Sequence, residues 1–249
     1  MVVIMIFMLP LKTYESYQSL SSDIAHIIAK KLIAQPRFTL GLASGNSPKL
    51  MHEELIKLLG KPGIDLSQLT TFNLDEYYPM KQSHAGSFYT EMMDRFWQPL
   101  HRANKTFDMN HGHILNGEAS DVSEECSRYE TLIKESGGID LQVLGLGLNG
   151  HIAFNEPGSA IDSRTRKIII TPESRAALAK TYNDIPQFGL TIGIGTILEA
   201  REIILMVTGD GKREVFKTLM SMTEPNADIP ASYLLGHPNA TTYTDLLLQ

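Results

Sequence analysis

The stretch that decides the fold is Leu144 to Ser159, LGLGLNGHIAFNEPGS. Leu141, Val143, Leu144 and Leu146, interrupted only by Gln142, run into Gly145 and Gly147 and then into a polar knot. A short apolar run closed by glycines reads as a buried parallel strand covered on both faces. The knot cannot continue that strand. Asn149, Gly150, His151, Asn155, Glu156 and Pro157 crowd an imidazole, a carboxylate and amides into one tight turn. In an open parallel sheet ligands sit just beyond the carboxyl ends of the strands, so this is where chemistry is expected.

Outward from the knot, strand and helix patterns alternate. Ser21–Ala34 spaces apolar residues on one helical face, with a cap expected at Ser21 or Ser22. Phe38–Ala43 reads as a strand, Ser44-Gly45-Asn46-Ser47-Pro48 as a turn, and Lys49–Leu59 as a helix with Ser47 as N-cap and Pro48 at its first position. Leu69–Leu74 is a strand ending in Asp75-Glu76-Tyr77-Tyr78. Phe88–Trp97 and Asp121–Ser136 are helices, and Ile139–Leu146 is the central strand. Strands are expected at Arg166–Ile170, Phe188–Ile194 and Glu202–Thr208, with helical segments at Ser174–Lys180 and Lys212–Met222. This alternation predicts one α/β domain over residues 1–249: a doubly wound, mostly parallel, Rossmann-like sheet with helices on both faces. The polar Lys81–Ser87 loop reads as a plain connection or a mobile lid.

With 249 residues the chain is long enough to bury a sizeable core. Its net charge of −6 argues against a general nucleic-acid or membrane partner, so any anionic ligand must be held by local positive groups. The single cysteine, Cys126, cannot form an internal disulfide and fits a reducing cytoplasm, where it reads as a half-buried helix residue. Pro10 ends the apolar opening MVVIMIFMLPLK well short of the roughly 20 residues of a membrane span, and no basic segment precedes it. It reads as a first strand of the sheet.

Three further places carry polar groups in suggestive settings. The Ser44–Pro48 turn joins a strand to a helix, and free N–H groups with hydroxyls beside them suit either an anion or an ordinary helix cap. Asp75 and Glu76 are adjacent at a strand end and point to opposite sides, so one can face a pocket while the other meets a structural partner. His151 has glycines nearby and Glu156 within reach, and a carboxylate can fix the tautomer of an imidazole. Lys180 and Lys212 read, on their own, as solvated surface lysines. No metal is implied: HGH at His111–His113 lacks a companion ligand motif and reads as a surface turn. Gly145, Gly147 and Gly150 match G-x-G-x-x-G, but no clean helix start follows them, so a dinucleotide site is not expected.

LGLGLNGHIAFNEPGS, with SRTR at Ser163–Arg166, resembles the glucosamine-6-phosphate deaminase (isomerase) family. The G-x-G-x-[DN]-G-H part is shared with the related 6-phosphogluconolactonases, and Asn155-Glu156-Pro157 favours the deaminase side. The resemblance implies conversion of D-glucosamine 6-phosphate and water to fructose 6-phosphate and ammonia, without cofactor. It makes Asp75 the general base and His151, oriented by Asn149 and Glu156, the ring-opening group. It makes Ser44, Gly45, Asn46, Ser47, Glu76, Gly147, Lys180 and Lys212 the substrate- and phosphate-binding residues. Lys180 stands where relatives often carry arginine, which keeps the charge and loses the fork. Asn149 stands where many carry aspartate, removing a negative charge near the imidazole, so the pH optimum is expected to move.

The nearest alternative is the galactosamine 6-phosphate reaction giving tagatose 6-phosphate; a lactonase would need neither Asp75-Glu76 nor the NEP segment. The fold also serves as a sugar-phosphate sensor in regulators. Fewer than about 40 residues, with no basic run, precede the first loop strand here, so a DNA-binding regulator is not expected. Ile168 stands two beyond Arg166, where allosterically activated relatives carry a basic residue, so no such activation is expected. The pattern leaves open whether the chain is a monomer or a homo-oligomer.

Overall fold

The computed structural model describes residues 9–172, 175 and 186–247. The residues Met1–Met8, and Ser174 and Ala176–Lys180 of the expected helix, lie outside the described residues. Ten strands are described: β1 (Leu11–Thr13), β2 (Phe38–Leu42), β3 (Leu69–Asn73), β4 (Asp75–Tyr78), β5 (Gly112–His113), β6 (Leu141–Gly145), β7 (Arg166–Ile169), β8 (Phe188–Thr191), β9 (Ile203–Val207) and β10 (Ala240–Thr244). The helices are α1 (Tyr17–Ala34), α2 (Lys49–Leu59), α3 (Phe88–Met92), α4 (Gln98–Ala103), α5 (Val122–Glu135), α6 (Ile194–Leu198) and α7 (Arg213–Ser221). A π turn, Met93–Trp97, joins α3 to α4.

Seven strands form one sheet in the order β1-β10-β9-β6-β2-β3-β5. Every pairing in it is parallel. Period-two alternation sorts the side chains onto two helix-covered faces. In β9, Ile204 and Met206 join the layer under α1 and α2, while Ile203, Leu205 and Val207 join the layer under α5 and α7. The winding reverses between β2 and β6: from β2 the chain builds outward to β3 and β5, and from β6 outward to β9 and β10. The crevice above that switch point is where an open α/β sheet takes its ligand.

The expectation of one α/β sheet is met, with an addition that the sequence reading lacked. DEYY is not the tail of β3. After Leu74 it becomes β4, the edge of a second, antiparallel sheet of order β4-β8-β7. Tyr77, Met80, Phe154 and Ile170 form a small separate core beneath it. Part of the expected Phe188–Ile194 strand is instead the start of α6.

The ends of elements also differ from the sequence reading. α1 begins a turn earlier than Ser21, capped by Ser16, because Tyr17 is held by tertiary contacts. Its hydroxyl lies within hydrogen-bonding distance of the Asn46 and Ser47 carbonyls and accepts the Leu50 N–H at 3.0 Å. Pro48, not Ser47, occupies the N-cap of α2, which has no side-chain cap. The HGH segment is not a surface turn: Gly112–His113 is edge strand β5, with His113 packed on Phe72 at 4.8 Å between ring centroids. The Lys81–Ser87 loop is hydrogen-bonded to its surroundings. Gln82 N–H donates to Glu118, Ser87 Oγ donates to the Gln82 carbonyl, and Ser87 caps α3.

The two sheets are joined through the loop that carries SRTR. Ser163 Oγ accepts the Ile194 N–H at 3.0 Å, and its carbonyl accepts the Gly195 N–H at 2.9 Å. Gly193 lies so close that a Cβ there would sit 2.0 Å from the Ser163 carbonyl oxygen. Backbone cannot retreat as a flexible side chain can. Gly193→Ala is therefore expected to destabilise by about 2–3 kcal/mol, lowering Tm by roughly 5–10 °C in calorimetry.

Candidate active site

The turns after β2 and β6, together with β4, enclose a cavity of about 620 Å³. Its walls include Ser44, Gly45, Asn46, Ser47, Asp75, Gly147, Asn149, His151 and Lys212. Apolar residues that the sequence reading did not select as site residues complete the wall: Ala43, Leu74 and Leu146 at the strand ends, with Tyr77, Phe88, Leu148, Ala153 and Phe154. As generic apolar or aromatic residues they carried no local signal.

The turn after β2 lines the cavity and leaves two backbone donors without a described protein acceptor. Gly45 adopts φ +85°, a left-handed conformation that favours glycine. Among the described residues, the Asn46 and Ser47 N–H groups meet no protein acceptor and precede the α2 N-terminus. Gly45 differs: its N–H is already donated to Glu91 Oε1 at 2.7 Å, so that donor is removed from any anion site. Lys212, on the 3-10 turn Asp210–Lys212 after β9, donates from Nζ to Ser47 Oγ at 2.9 Å. The Leu50 N–H, which a Ser47 cap would accept, is taken by the Tyr17 hydroxyl instead. Burial pushes the Lys212 ammonium down to about 8, with Asp245 opposing the shift. An anion arriving in the cavity would favour its charged form.

Asp75 and Tyr77 face the cavity from β4, as period two requires. Burial pushes the Asp75 carboxyl up to about 8; Glu76 and Glu91 add to the rise, and a hydrogen bond with the Ser44 side chain opposes it. Glu76 points the other way, which corrects its assignment to substrate binding. Its carboxylate accepts N–H groups from Tyr77 at 2.8 Å, Phe88 at 3.0 Å and Tyr89 at 2.8 Å. Glu76 thereby anchors the start of α3 against β4. Burial raises its pKa to about 7 even so, with those three hydrogen bonds pulling it down.

The knot after β6 is a run of turns, not a helix, so its glycine pattern does not open a dinucleotide site. Gly147 is part of the cavity wall, yet its absent side chain is what makes room for His151. A Cβ there would lie 2.3 Å from the imidazole. Asn149 Nδ2 donates to Glu156 Oε2 at 2.6 Å, and that same oxygen lies 3.4 Å from His151 Nδ1. Asn149 Oδ1 also accepts the His151 N–H at 3.3 Å. Glu156 stands behind the histidine, outside the cavity wall, and Ala153 holds a positive φ of 51°. A non-glycine residue in that region is costly and is retained where the surroundings fix it.

Neighbouring motif residues do the fixing. Asn155 donates to the Ile152 and Ile192 carbonyls at 3.0 and 2.9 Å. Its Oδ1 accepts from Arg166 at 2.9 Å, and Arg166 also donates to Ser159. Thr165 binds Glu130 through its N–H at 2.8 Å. Arg164 pairs with Glu199. The SRTR segment is thus scaffold for the knot. Lys180 lies outside the described residues. Among the described residues no group of three metal-binding side chains forms, and no helix is long and apolar enough to cross a membrane.

The family of glucosamine-6-phosphate isomerases/6-phosphogluconolactonase matches residues 12–244. A glucosamine-6-phosphate deaminase of Alkaliphilus oremlandii is 40% identical over 238 residues, covering 93% of this chain and 95% of its own. One from Rhodopirellula baltica is 42% identical over 233 residues, covering 92% and 90%. A solved monomeric glucosamine-6-phosphate deaminase superposes with a TM-score of 0.89 at 34% identity, covering 94% of this chain and 96% of its own.

The raised Asp75 pKa has a consequence for stability. A carboxyl held above its unfolded value stabilises the fold when protonated, and that contribution is lost as pH rises from about 4 through about 8. Asp75→Asn mimics the protonated form. Its Tm advantage over the parent is expected to be small near pH 4 and to grow steadily with pH, reaching at least roughly 4 °C near pH 9 in thermal melts.

Proposed function

The chain belongs to the glucosamine-6-phosphate isomerase/6-phosphogluconolactonase family, and from that premise we propose that it is a deaminase converting D-glucosamine 6-phosphate and water to fructose 6-phosphate and ammonia. The observation that carries this reading is the company Asp75 keeps. A buried carboxyl with a raised pKa shares one cavity with an imidazole and with a lysine-backed anion turn. High-coverage relatives of the chain are deaminases of this kind.

In the proposed chemistry, the Asn46 and Ser47 N–H groups, the Ser44 and Ser47 hydroxyls and Lys212 hold the phosphate. Binding energy is thereby drawn from a part of the sugar remote from the reacting carbons. Lys180 is a further candidate for the phosphate. His151, oriented through Asn149 and Glu156, moves the proton needed to open the pyranose at its ring oxygen. Asp75 takes the proton from C2 of the open amino aldose and returns it to C1. The product is an imine at C2. Water adds to that carbon, and ammonia leaves to give the ketose. Tyr77, Phe88 and Phe154 give the open chain an apolar wall.

The test is ammonia release from glucosamine 6-phosphate beside galactosamine 6-phosphate, with 6-phosphogluconolactone hydrolysis as a third assay. Turnover of the gluco sugar is expected, and Asp75→Asn should lower kcat about 10³-fold or more. Preference for the galacto sugar would keep the mechanism and change the substrate. Lactone hydrolysis without ammonia release would overturn the reading.

The pH profile is a second test. Below about 8 Asp75 is protonated and cannot accept a proton; above about 8 Lys212 loses its charge and its hold on phosphate. Because kcat/KM reports the free enzyme, it should trace a narrow bell with its maximum near 8. The basic limb of kcat should lie higher, since bound phosphate keeps Lys212 charged.

A further inference from the structure

Glu91 and Arg95 look, in sequence, like an ordinary pair at i and i+4 on a helix surface. Their placement is different. Glu91 lies on α3 and Arg95 on the π turn that follows, and both reach across to the turn after β2. Glu91 Oε1 accepts the Gly45 N–H at 2.7 Å and the Arg95 guanidinium at 2.8 Å. The same Arg95 nitrogen lies 3.3 Å from the Gly45 carbonyl oxygen, to which it donates. Both polar groups of the one left-handed residue in the turn are thus gripped by the element that follows β4.

The arrangement has a built-in conflict. A carboxylate beside a turn that binds an anion repels that anion, and Gly45 lines the cavity. Arg95 is placed to cancel the charge while adding its own hold on the turn. The carboxylate side chain is the less exposed partner, at 18% against 37% for the arginine. Neutralisation there is worth more than on an open surface.

We propose that Glu91 and Arg95 are positioning residues for substrate phosphate: Glu91 fixes Gly45 so that the Asn46 and Ser47 N–H groups face the cavity, and Arg95 keeps the field at that turn positive enough for a dianion. The inference rests on the reading of the Ser44–Ser47 turn as the phosphate site. It also links that turn to the catalytic strand, because Glu76 on β4 anchors the start of the same helix. The phosphate turn and Asp75 are therefore set at a fixed separation by one element, α3 with its π turn.

The pair makes a prediction that a structural ion pair does not. Breaking a structural pair from either side weakens the protein in the same direction. Here the two halves carry opposite charges toward the ligand. Competitive inhibition by inorganic phosphate is measured with the parent enzyme, R95Q and E91Q, alongside KM, kcat and thermal melting. R95Q leaves an unneutralised carboxylate at the turn. It should raise both KM and the phosphate inhibition constant about tenfold, equivalent to roughly 1.4 kcal/mol, with a smaller change in kcat. E91Q keeps an amide oxygen to accept the Gly45 N–H and removes the repulsive charge, so its phosphate constant should stay level or fall by about two- to threefold.

Opposite movement in the two variants supports the inference. Equal weakening in both, or no change in R95Q, overturns it. Should R95Q fail to fold, E91Q decides alone, since a weakened phosphate constant in that near-isosteric variant contradicts the proposed role. Parent enzyme that turns over sugar phosphate yet is not inhibited by inorganic phosphate, and is indifferent to Lys212→Met, would overturn the reading of the turn itself. Parent inhibition that depends on Lys212, with no effect of R95Q, would overturn only the role of Glu91 and Arg95.

Discussion

The site depends on β2 and β6 lying side by side and parallel, with Leu40 opposite Leu141 and Gly41 opposite Gln142. The space beside Gly41 is filled by the buried Gln142 side chain: a Cβ there would fall 2.0 Å from Gln142 Oε1. Because both strands end on the same side of the sheet, the turn after one and the knot after the other share a cavity. Neither loop holds a complete set of groups alone. The turn after β2 supplies hydroxyls and N–H donors, and the knot after β6 supplies the imidazole. The second sheet closes the third side by delivering Asp75 on β4.

Polar groups at this site are held under tension rather than relaxed. Asp75 is buried near two other carboxylates, and Lys212 is buried against the Ser47 hydroxyl with Asp245 partly compensating its charge. Each would be better solvated outside. What keeps them in place is a surrounding scaffold with its hydrogen bonds satisfied: Glu76 on three N–H groups, Asn155 on two carbonyls and Arg166, Tyr17 across the turn before α2. Stability and readiness for proton transfer are therefore opposed at Asp75, and the rest of the fold carries the difference.

Much of this was legible in the sequence because its signals are local. The apolar run before Gly145, the Ser44-Gly45-Asn46-Ser47-Pro48 turn after β2 and the Gly209-Asp210-Gly211-Lys212 turn each announce a strand end followed by a special backbone. What was not legible is the partner of each group. Ser47 reads as a helix cap until Tyr17, from a helix near the start of the chain, takes the Leu50 N–H. Glu76 reads as half of a catalytic pair until α3 turns its N–H groups onto it. DEYY reads as the end of a strand because two or three alternating residues look alike in either sheet. Glu91 and Arg95 read as solvated helix charges, since nothing in their spacing discloses a glycine 46 residues earlier in the chain.

The sequence by itself determined the α/β class and the strand ends at which the polar turns sit, and its contiguous motifs carry the resemblance behind the roles proposed for Asp75, for His151 with Asn149 and Glu156, for the Ser44–Ser47 turn and for Lys212. These follow from periodicity and turn chemistry, which act over a few neighbouring residues, and from motifs written contiguously. The tertiary structure alone decided which carboxylate enters the cavity, which donors of the turn stay free, and how the turn is spaced from Asp75. Those outcomes depend on burial and on contacts between segments far apart in the chain. Only the folded packing sets the desolvation that raises Asp75 and lowers Lys212 toward the same pH.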